Sequence, residues 1–294
     1  MSTDMSHPSL LFQPISPEQR ERIESIRALS GNTLHVHAFA SLFAWQASEQ
    51  YGIYMSDGAF LVKYGARGED AYLFPCGTEP AKKELIDALL REGKPVFYFV
   101  SDEDKCFLER AFPGRFTFFE CRNDYPYLYD RNEQIAMVGK DYKNLRHQVN
   151  IGRESALHWS SERLDATNLE RALAINREWS EARPREDLAD TAAAETALRN
   201  FADLRLWGML FTADGKDISY VAGTFITPEK FDICFCKVLD KRCDCFIKWE
   251  LYRALPAEVS TVDSEEDMGL EGLRTHKLLR RPKELVRVWK GKSL

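Results

Sequence analysis

Apolar and polar positions change period many times along the chain, and they do so in an order that repeats. Ser16-Pro17-Glu18-Gln19 opens a first helix, with Ser16 as N-cap, Pro17 at the first helical position and Gln19 completing a capping box. It runs to Leu29. A second helix, over 36–50, carries Phe39, Leu42, Phe43 and Trp45 and stops at Gly52. Strands follow at 53–56 and 59–64, joined by the Asp57-Gly58 turn, and at 71–75. A helix over 79–92, a strand at 95–100, a helix over 102–112 and a strand at 116–121 come next, with Pro113-Gly114 breaking the chain before the last. Tyr125, Tyr127 and Tyr129 alternate as in a strand and close the first half.

Gly139-Lys140 then interrupts the pattern, and from Asp141, read as an N-cap, a basic helix carries Lys143, Arg146, His147 and Arg153. The order begins again with a strand near 157–164, helices over 167–182 and 188–202, and strands at 205–211, 218–226 and 231–238. A helix over 246–255, a strand at 260–263, a helix over 270–279 and a strand at 284–289 complete it. Such a repeat predicts two copies of one α/β unit, 1–130 and 131–294, in the α+β class. Three consecutive strands joined by short turns predict mixed, mostly antiparallel sheets flanked by helices. Neither G-x-G-x-x-G after a strand nor G-x-x-x-x-G-K-[ST] occurs, so the common nucleotide-binding motifs are absent.

Length agrees with this division, because 294 residues exceed the usual single core. No apolar run approaches the roughly 20 residues of a spanning helix. The start, MSTDMSHPSLLF, lacks the basic and apolar regions of an export signal. Seven cysteines, an odd number without scaffold spacing, point to a reducing compartment, and the expectation is a cytoplasmic protein. A net charge of −6 argues against a protein that coats nucleic acid with its whole surface. Two basic patches, 143–153 and Arg274 to Lys292, suit a phosphate-bearing ligand, or else a solubilising tail.

Candidate chemistry gathers near the C-terminal half. Asp263, Glu265, Glu266 and Asp267 crowd one strand end, where like charges raise a carboxyl pKa. Asp267, Glu271 and Glu265 are therefore candidate general bases toward an amine or hydroxyl. Arg274 and Lys277 are candidates to hold a phosphate or a donor carboxylate. The purely structural alternative has Asp267 capping the helix and Glu271 pairing with Arg274. Lys140 just before the basic helix, and Lys143, Arg146 and Asn150 on it, are candidate donor contacts, and Tyr129 is a candidate site residue expected at a cleft edge. Cys234-x-Cys236 and Cys243-x-Cys245 match none of the common zinc frameworks and read as core, so no metal is expected. The histidines form no triad.

Three segments carry a family resemblance. The first is Asp124-Tyr125 and Tyr127-Leu128-Tyr129, followed by Gly139-Lys140-x-Tyr142 and Arg146-x-x-x-Asn150. The second runs from Glu265 to Arg274 (EEDMGLEGLR), with Lys277 and Pro282 beyond it. The third is HAFASLFAWQ at 37–46. Together they resemble a bacterial family related to the C-terminal domain of phosphatidylglycerol lysyltransferase. Where relatives read R-N-H-I-N-R-F, this chain has Arg146 to Gly152 without the second arginine and the aromatic. The resemblance implies a tandem GNAT acyltransferase arrangement, similar to Fem-type enzymes that use aminoacyl-tRNA to aminoacylate a lipid or a peptidoglycan precursor. It implies no bound cofactor, a phosphate-bearing donor (aminoacyl-tRNA or acyl-CoA), and a small-molecule, peptide or lipid acceptor. The loop 239–245 lacks the glycine pair that acyl-CoA-binding members use as a phosphate cradle. Lys241 and Arg242 remain there as charges. Two alternatives stand beside a transferase: a non-catalytic module for a phosphorylated ligand or RNA, and an ordinary acyl-CoA N-acyltransferase. Oligomeric state is left open.

Overall fold

A computed structural model describes residues 10–182 and 188–294; the stretch MSTDMSHPS, part of the segment read as carrying no export signal, lies outside the described residues. In chain order α1 (Arg20–Leu29) and α2 (Phe39–Trp45) precede β1 (Tyr51–Met55), β2 (Ala59–Tyr64), β3 (Ala71–Leu73) and β4 (Cys76–Gly77). Then α3 (Glu79–Glu92), β5 (Val96–Ser101), α4 (Asp102–Ala111) and β6 (Phe116–Glu120) alternate. The middle holds β7 (Tyr127–Asp130), α5 (Arg131–Ala136), α6 (Lys143–Ser155), β8 (Ser160–Arg163), α7 (Leu169–Glu181) and α8 (Leu188–Arg199). Three long strands follow, β9 (Trp207–Ala213), β10 (Lys216–Thr227) and β11 (Lys230–Val238), and then α9 (Asp244–Ala254). The chain ends with β12 (Thr261–Asp263), α10 (Glu271–Leu279), β13 (Glu284–Leu285) and β14 (Val288–Ser293).

Two compact units result. The first comprises 1–32, 45–121 and 288–294. Its sheet runs β1-β2-β3-β5-β14-β6, with β4 also paired to β2. Leu61, Phe74, Leu85, Phe97 and Leu108 fill its core. The second unit comprises 33–44 and 122–287, and its sheet runs β13-β7-β12-β11-β10-β9-β8. Its core joins Leu145 and Val149 of α6 with Phe246, Ile247 and Leu251 of α9 and with Phe231 and Val262 of the sheet. Both sheets are mixed and mostly antiparallel, as the repeat predicts.

The units differ from one cut near residue 130 for a reason visible in the pairing. The tyrosine strand is read from sequence as closing the first half, but β7 pairs with β12 and β13 in the second sheet. The single strand read at 284–289 is two strands. β13 stays in the second sheet, while β14 pairs with β5 and β6 in the first. The end of the basic C-terminal stretch is therefore built into a sheet rather than a solvated tail: Lys290 and Lys292 lie within β14. The basic helix also begins later than Asp141. Gly139, at φ 93, leads into a 3-10 turn over Lys140–Tyr142, and Asp141 lies inside that turn. Among the described residues no helix is long and apolar enough to cross a membrane.

What positions the site is a fork in the second sheet. β11 and β12 are parallel, and they pair only over Lys230↔Thr261, Phe231↔Val262 and Asp232↔Asp263. Beyond that register β11 continues to Val238 while the other strand ends. Crevices at the carboxyl ends of parallel strands are where ligands enter open α/β sheets. Beside the fork β10 carries a bulge between Ala222 and Thr224. There Gly223 approaches so closely that a β-carbon would lie 2.0 Å from the Asp232 carbonyl oxygen. Only glycine fits that approach.

Candidate active site

The period of a strand decides which β11 residues reach the fork. Phe231, Ile233 and Phe235 alternate with Asp232, Cys234 and Cys236, so the carboxyl and the two thiols share one face. Asp232 and Asp263 are register partners and both are wholly buried. Asp263 has its charge met: Lys230 Nζ lies 2.9 Å from Oδ2, and the Glu265 N–H donates to Oδ1 at 2.9 Å. Lys230 also donates to the Thr33 carbonyl at 2.8 Å. Asp232 accepts only a weak contact from the Cys234 thiol, at 3.4 Å, and its Oδ1 has no hydrogen-bond partner among the described residues.

Glu265 completes the group. Its side-chain oxygen, one from Asp232 and the Cys234 sulfur all lie within 4.8 Å of one another. Burial, then the charge of Asp263, pushes the Asp232 carboxyl up to about 7. Burial, then the charge of Asp232, pushes Glu265 well above the ordinary carboxylate range. Two such carboxyls do not both ionise at neutral pH, so the pair keeps at least one proton, and Asp232 is the member that ionises first. Burial and Asp232 likewise keep the Cys234 thiol protonated.

The loop presenting Glu265 is held from two sides. Glu265 itself is at φ 55, a left-handed conformation that a non-glycine residue adopts only where its surroundings impose it. Lys277, buried on α10, supplies that constraint: its Nζ donates to the Ser264 carbonyl, to that of Glu265 at 3.1 Å and to that of Glu266 at 2.6 Å. On the far end of the loop, Asp267 Oδ2 accepts from Tyr127 Oη at 2.5 Å and Arg122 Nη1 at 3.0 Å. Arg274 reaches both Asp267 oxygens, at 2.9 and 2.7 Å, and also Asn123 Oδ1 at 2.7 Å. Burial alone would raise the Asp267 pKa. Hydrogen bonds from Arg274, Tyr127 and the Gly269 N–H outweigh it and hold the carboxyl well below the usual range.

His35 enters from the segment before α2. Its Nε2 is 3.1 Å from Glu266 Oε2 and its Nδ1 3.9 Å from Asp263 Oδ2. Burial would lower its pKa, but Glu266 first, then Asp263 and Glu265, raise it to about 10. Because the folded pKa exceeds the ordinary 6.5, this contribution to stability is complete below 6.5 and is lost as the pH rises through about 10. His35→Gln should therefore cost about 2–3 kcal/mol near neutrality, with the difference from wild type shrinking above that range. Denaturant melts at a series of pH values measure it. A difference independent of pH would mean the imidazolium charge does not matter.

The residues read from sequence separate into three sets. Glu265, Lys277, Arg274 and Asp267 converge beside the fork. Asp267, however, is a fixed anion pinned by two arginines rather than a base, and it does not cap α10, whose N-cap is Leu270. Glu271 is exposed and has no ion pair with Arg274. Tyr129 is fully buried rather than at an edge, with its hydroxyl donating to the Lys277 carbonyl at 2.9 Å. Lys140, Lys143 and Asn150 are exposed. Arg146 donates to the carbonyls of Met137 and Gly139, the latter at 2.8 Å. None of these four bonds to the carboxyl cluster. Of the loop charges, Arg242 is paired with Asp240 at 2.6 Å and Lys241 is exposed. Asp232, His35, Lys230 and Arg122 escape sequence reading. Only Asp232 leaves a trace, as an acid inside the apolar strand KFDICFCKV.

Two trios among the described residues have ion-holding geometry, Asp232/Cys234/Glu265 and Asp244/Cys245/His276. In the second, Asp244 is already engaged by His276 at 2.6 Å and Lys248 at 2.9 Å. Protein purified without added metal is expected to carry no stoichiometric zinc. Elemental analysis checks this, and zinc whose removal lowers the melting temperature would overturn it.

The sequence profile described as phosphatidylglycerol lysyltransferase, C-terminal, matches residues 27–233, which is most of the chain. The chain belongs to this lysyltransferase C-terminal family. The matched span takes in His35, Arg122, Tyr127, Lys230 and Asp232. No curated protein sequence matches. Among solved structures, a conserved protein of unknown function from Bacteroides thetaiotaomicron superposes with a TM-score of 0.87 at 23% identity, covering 97% of this chain and 99% of that one. L-PGS from Bacillus licheniformis follows at TM-score 0.64 and 13% identity, over 96% and 92% of the two chains. A tandem GNAT protein from the clavulanic acid biosynthesis pathway aligns at TM-score 0.50 and 11% identity, over 97% and 98%. The fold of this lysyltransferase C-terminal family member is thus the tandem GNAT-like arrangement that its motifs imply.

Proposed function

We propose that the second unit transfers an acyl group, and specifically an aminoacyl group from tRNA, to an amine or hydroxyl acceptor. The observation that carries this reading is the meeting of Asp232 and Glu265 in one buried group where β11 and β12 part. A carboxylate whose pKa lies near 7 is matched to accept a proton from an attacking nucleophile at neutral pH. In the step itself, the acceptor nitrogen or oxygen forms a bond to the donor's carbonyl carbon as its proton passes to the ionised member of the pair. The tetrahedral intermediate then collapses, the donor ester bond breaks, and the leaving hydroxyl takes a proton. Cys234 is the only nucleophilic side chain of the trio, and its protonated thiol favours direct transfer over an acyl-enzyme. The family to which the chain belongs supports the aminoacyl donor, and the loop 239–245 without a glycine pair counts against acyl-CoA.

The test uses the full chain with radiolabelled aminoacyl-tRNA and either phosphatidylglycerol vesicles or a soluble amine. The expected result is acceptor-dependent loss of the ester, with label recovered on the acceptor. Equal affinity for charged and uncharged tRNA with no ester loss would make the protein an RNA-binding module. Stabilisation and turnover with acetyl-CoA alone would make it an N-acyltransferase.

A further inference from the structure

The trio at the fork carries the ligand chemistry of a metal site as well as that of a base. One sulfur and two carboxyl oxygens, from Cys234, Asp232 and Glu265, lie within 4.8 Å of one another. The Cys234 sulfur is 3.4 Å from Asp232 Oδ2, close to the roughly 3.5 Å edge of a tetrahedron built on zinc–sulfur and zinc–oxygen bonds. Asp232 is 0% exposed, and its Oδ1 has no hydrogen-bond partner among the described residues. A buried acceptor left unpaired calls for a proton or a ligand. Glu265 is only half-buried, so the group is not sealed from solvent.

Strand period and loop geometry hold these atoms together. Asp232 and Cys234 are two apart on β11 and share a face, and the Lys277 contacts fix the loop that brings Glu265 to them. Around the trio stand Asp263, Glu266, Lys230, His35 and Lys277. With every acid of the group ionised and Cys234 a thiolate, five negative charges face the three positive charges of Lys230, His35 and Lys277. The deficit of two matches one divalent ion, and an ion seated between its ligands in place of protons needs no cavity. One thiolate with two carboxylates suits a borderline-soft ion such as zinc, rather than magnesium or calcium, which take oxygen alone. In the other trio Asp244 is already committed to Lys248 and His276, whereas no cation is paired with Asp232 among the described residues.

We propose that Asp232, Cys234 and Glu265 form an inhibitory site for a thiophilic divalent cation, zinc by the chemistry of its ligands, which silences the base when it binds. Binding stands on the geometry alone, whereas inhibition rests on the transferase reading. The ion displaces the Cys234 proton to solvent, so it enters when supplied and is not expected in protein purified without added metal. The experiment titrates the full chain with cobalt(II), whose bond to a thiolate gives a near-ultraviolet charge-transfer band, and measures zinc affinity by calorimetry. One ion per chain should bind, and zinc should abolish the cobalt band while excess magnesium should not. Cys234→Ser should lose the band. It and Asp232→Asn should each weaken zinc about a hundredfold, since even outer-shell partners are worth roughly 10–100-fold. Cys245→Ser, in the other trio, should keep both band and affinity. No saturable binding, or a band that survives Cys234→Ser or vanishes in Cys245→Ser, overturns the site. Should Cys234→Ser fail to fold, an unchanged zinc affinity in Asp232→Asn overturns it. In the transfer assay, activity should fall in proportion to zinc occupancy and return with a chelator. Undiminished transfer at full occupancy would overturn the inhibition and leave the ion site standing. No transfer even without zinc would remove the transferase reading, and the inhibition with it, but not the site.

Discussion

Replacing Asp232 by Asn is expected to slow acyl or aminoacyl transfer about 10²–10⁴-fold while leaving the fold and donor affinity in place. The substitution is isosteric, and the site already tolerates a neutral carboxyl there, because burial and Asp263 push the Asp232 pKa up to about 7. What is lost is the ability to take a proton. Glu265→Gln should do comparable damage, and the double variant little more than either alone, since the two act as a unit. Stability should move the other way. A carboxyl whose folded pKa is raised destabilises the fold as the pH climbs through that value, so Asp232→Asn should be relatively more stable at pH about 8 than at pH about 6. Single-turnover transfer assays paired with melts at both pH values separate these effects. A transfer rate unchanged within about twofold would remove Asp232 from the chemistry.

The largest stability effect is expected at Lys277. Its ammonium satisfies three consecutive backbone carbonyls and stands beside Glu265 and Glu266. Lys277→Met preserves the stem but strands those acceptors, and it removes a cation that acts on Glu265 and Glu266. A loss of about 3–5 kcal/mol follows from a broken buried charged network. The left-handed conformation of Glu265 depends on the same contacts, so transfer should fall along with stability. Asp267→Asn should cost less, about 1–2 kcal/mol, because both of its arginines are about a third exposed and screened by solvent. Denaturant unfolding at neutral pH measures both. Equal losses at the two positions would mean Lys277 is no more than another surface-linked ion pair.

The sequence conveys the fold more fully than the site. Strand and helix periods come from local alternation, so the repeated order and the Asp57-Gly58 hairpin are legible one segment at a time. Non-local pairing is not. Nothing in VWKGKS announces that β14 leaves the second unit's sheet for the first, and the tyrosine alternation of β7 does not say which sheet receives it. The crowd of acids at 263–267 is visible, but what raises Glu265 is burial and then Asp232, which lies outside it. Asp267 looks equivalent to Glu265 until Arg122, from a distant segment, and Arg274 close on it. Asp232 belongs with Glu265 because a three-residue parallel register sets it opposite Asp263, which is a property of two strands at once. Charge alone nominates Lys140, Lys143 and Asn150's helix as a binding face, and these residues are exposed. Among the described residues Arg280 is buried without an ion pair, and in sequence it cannot be told from Arg281 beside it.

In the proposed reaction the carboxyl pair at the fork keeps a proton near neutrality, and its ionised member, Asp232, receives another during transfer. The pH dependence of the transfer step, measured in single turnover so that donor release does not intrude, tests it most directly. The predicted profile rises with pH through an apparent pKa of about 7, the value to which burial and Asp263 bring Asp232. In Glu265→Gln, where burial and Asp263 still act on Asp232, the limb should stay near 7 at a reduced rate, and in Asp232→Asn the residual rate should lose it. A rate indifferent to pH across this range in wild type, or a limb left in place by Asp232→Asn, would contradict this reading.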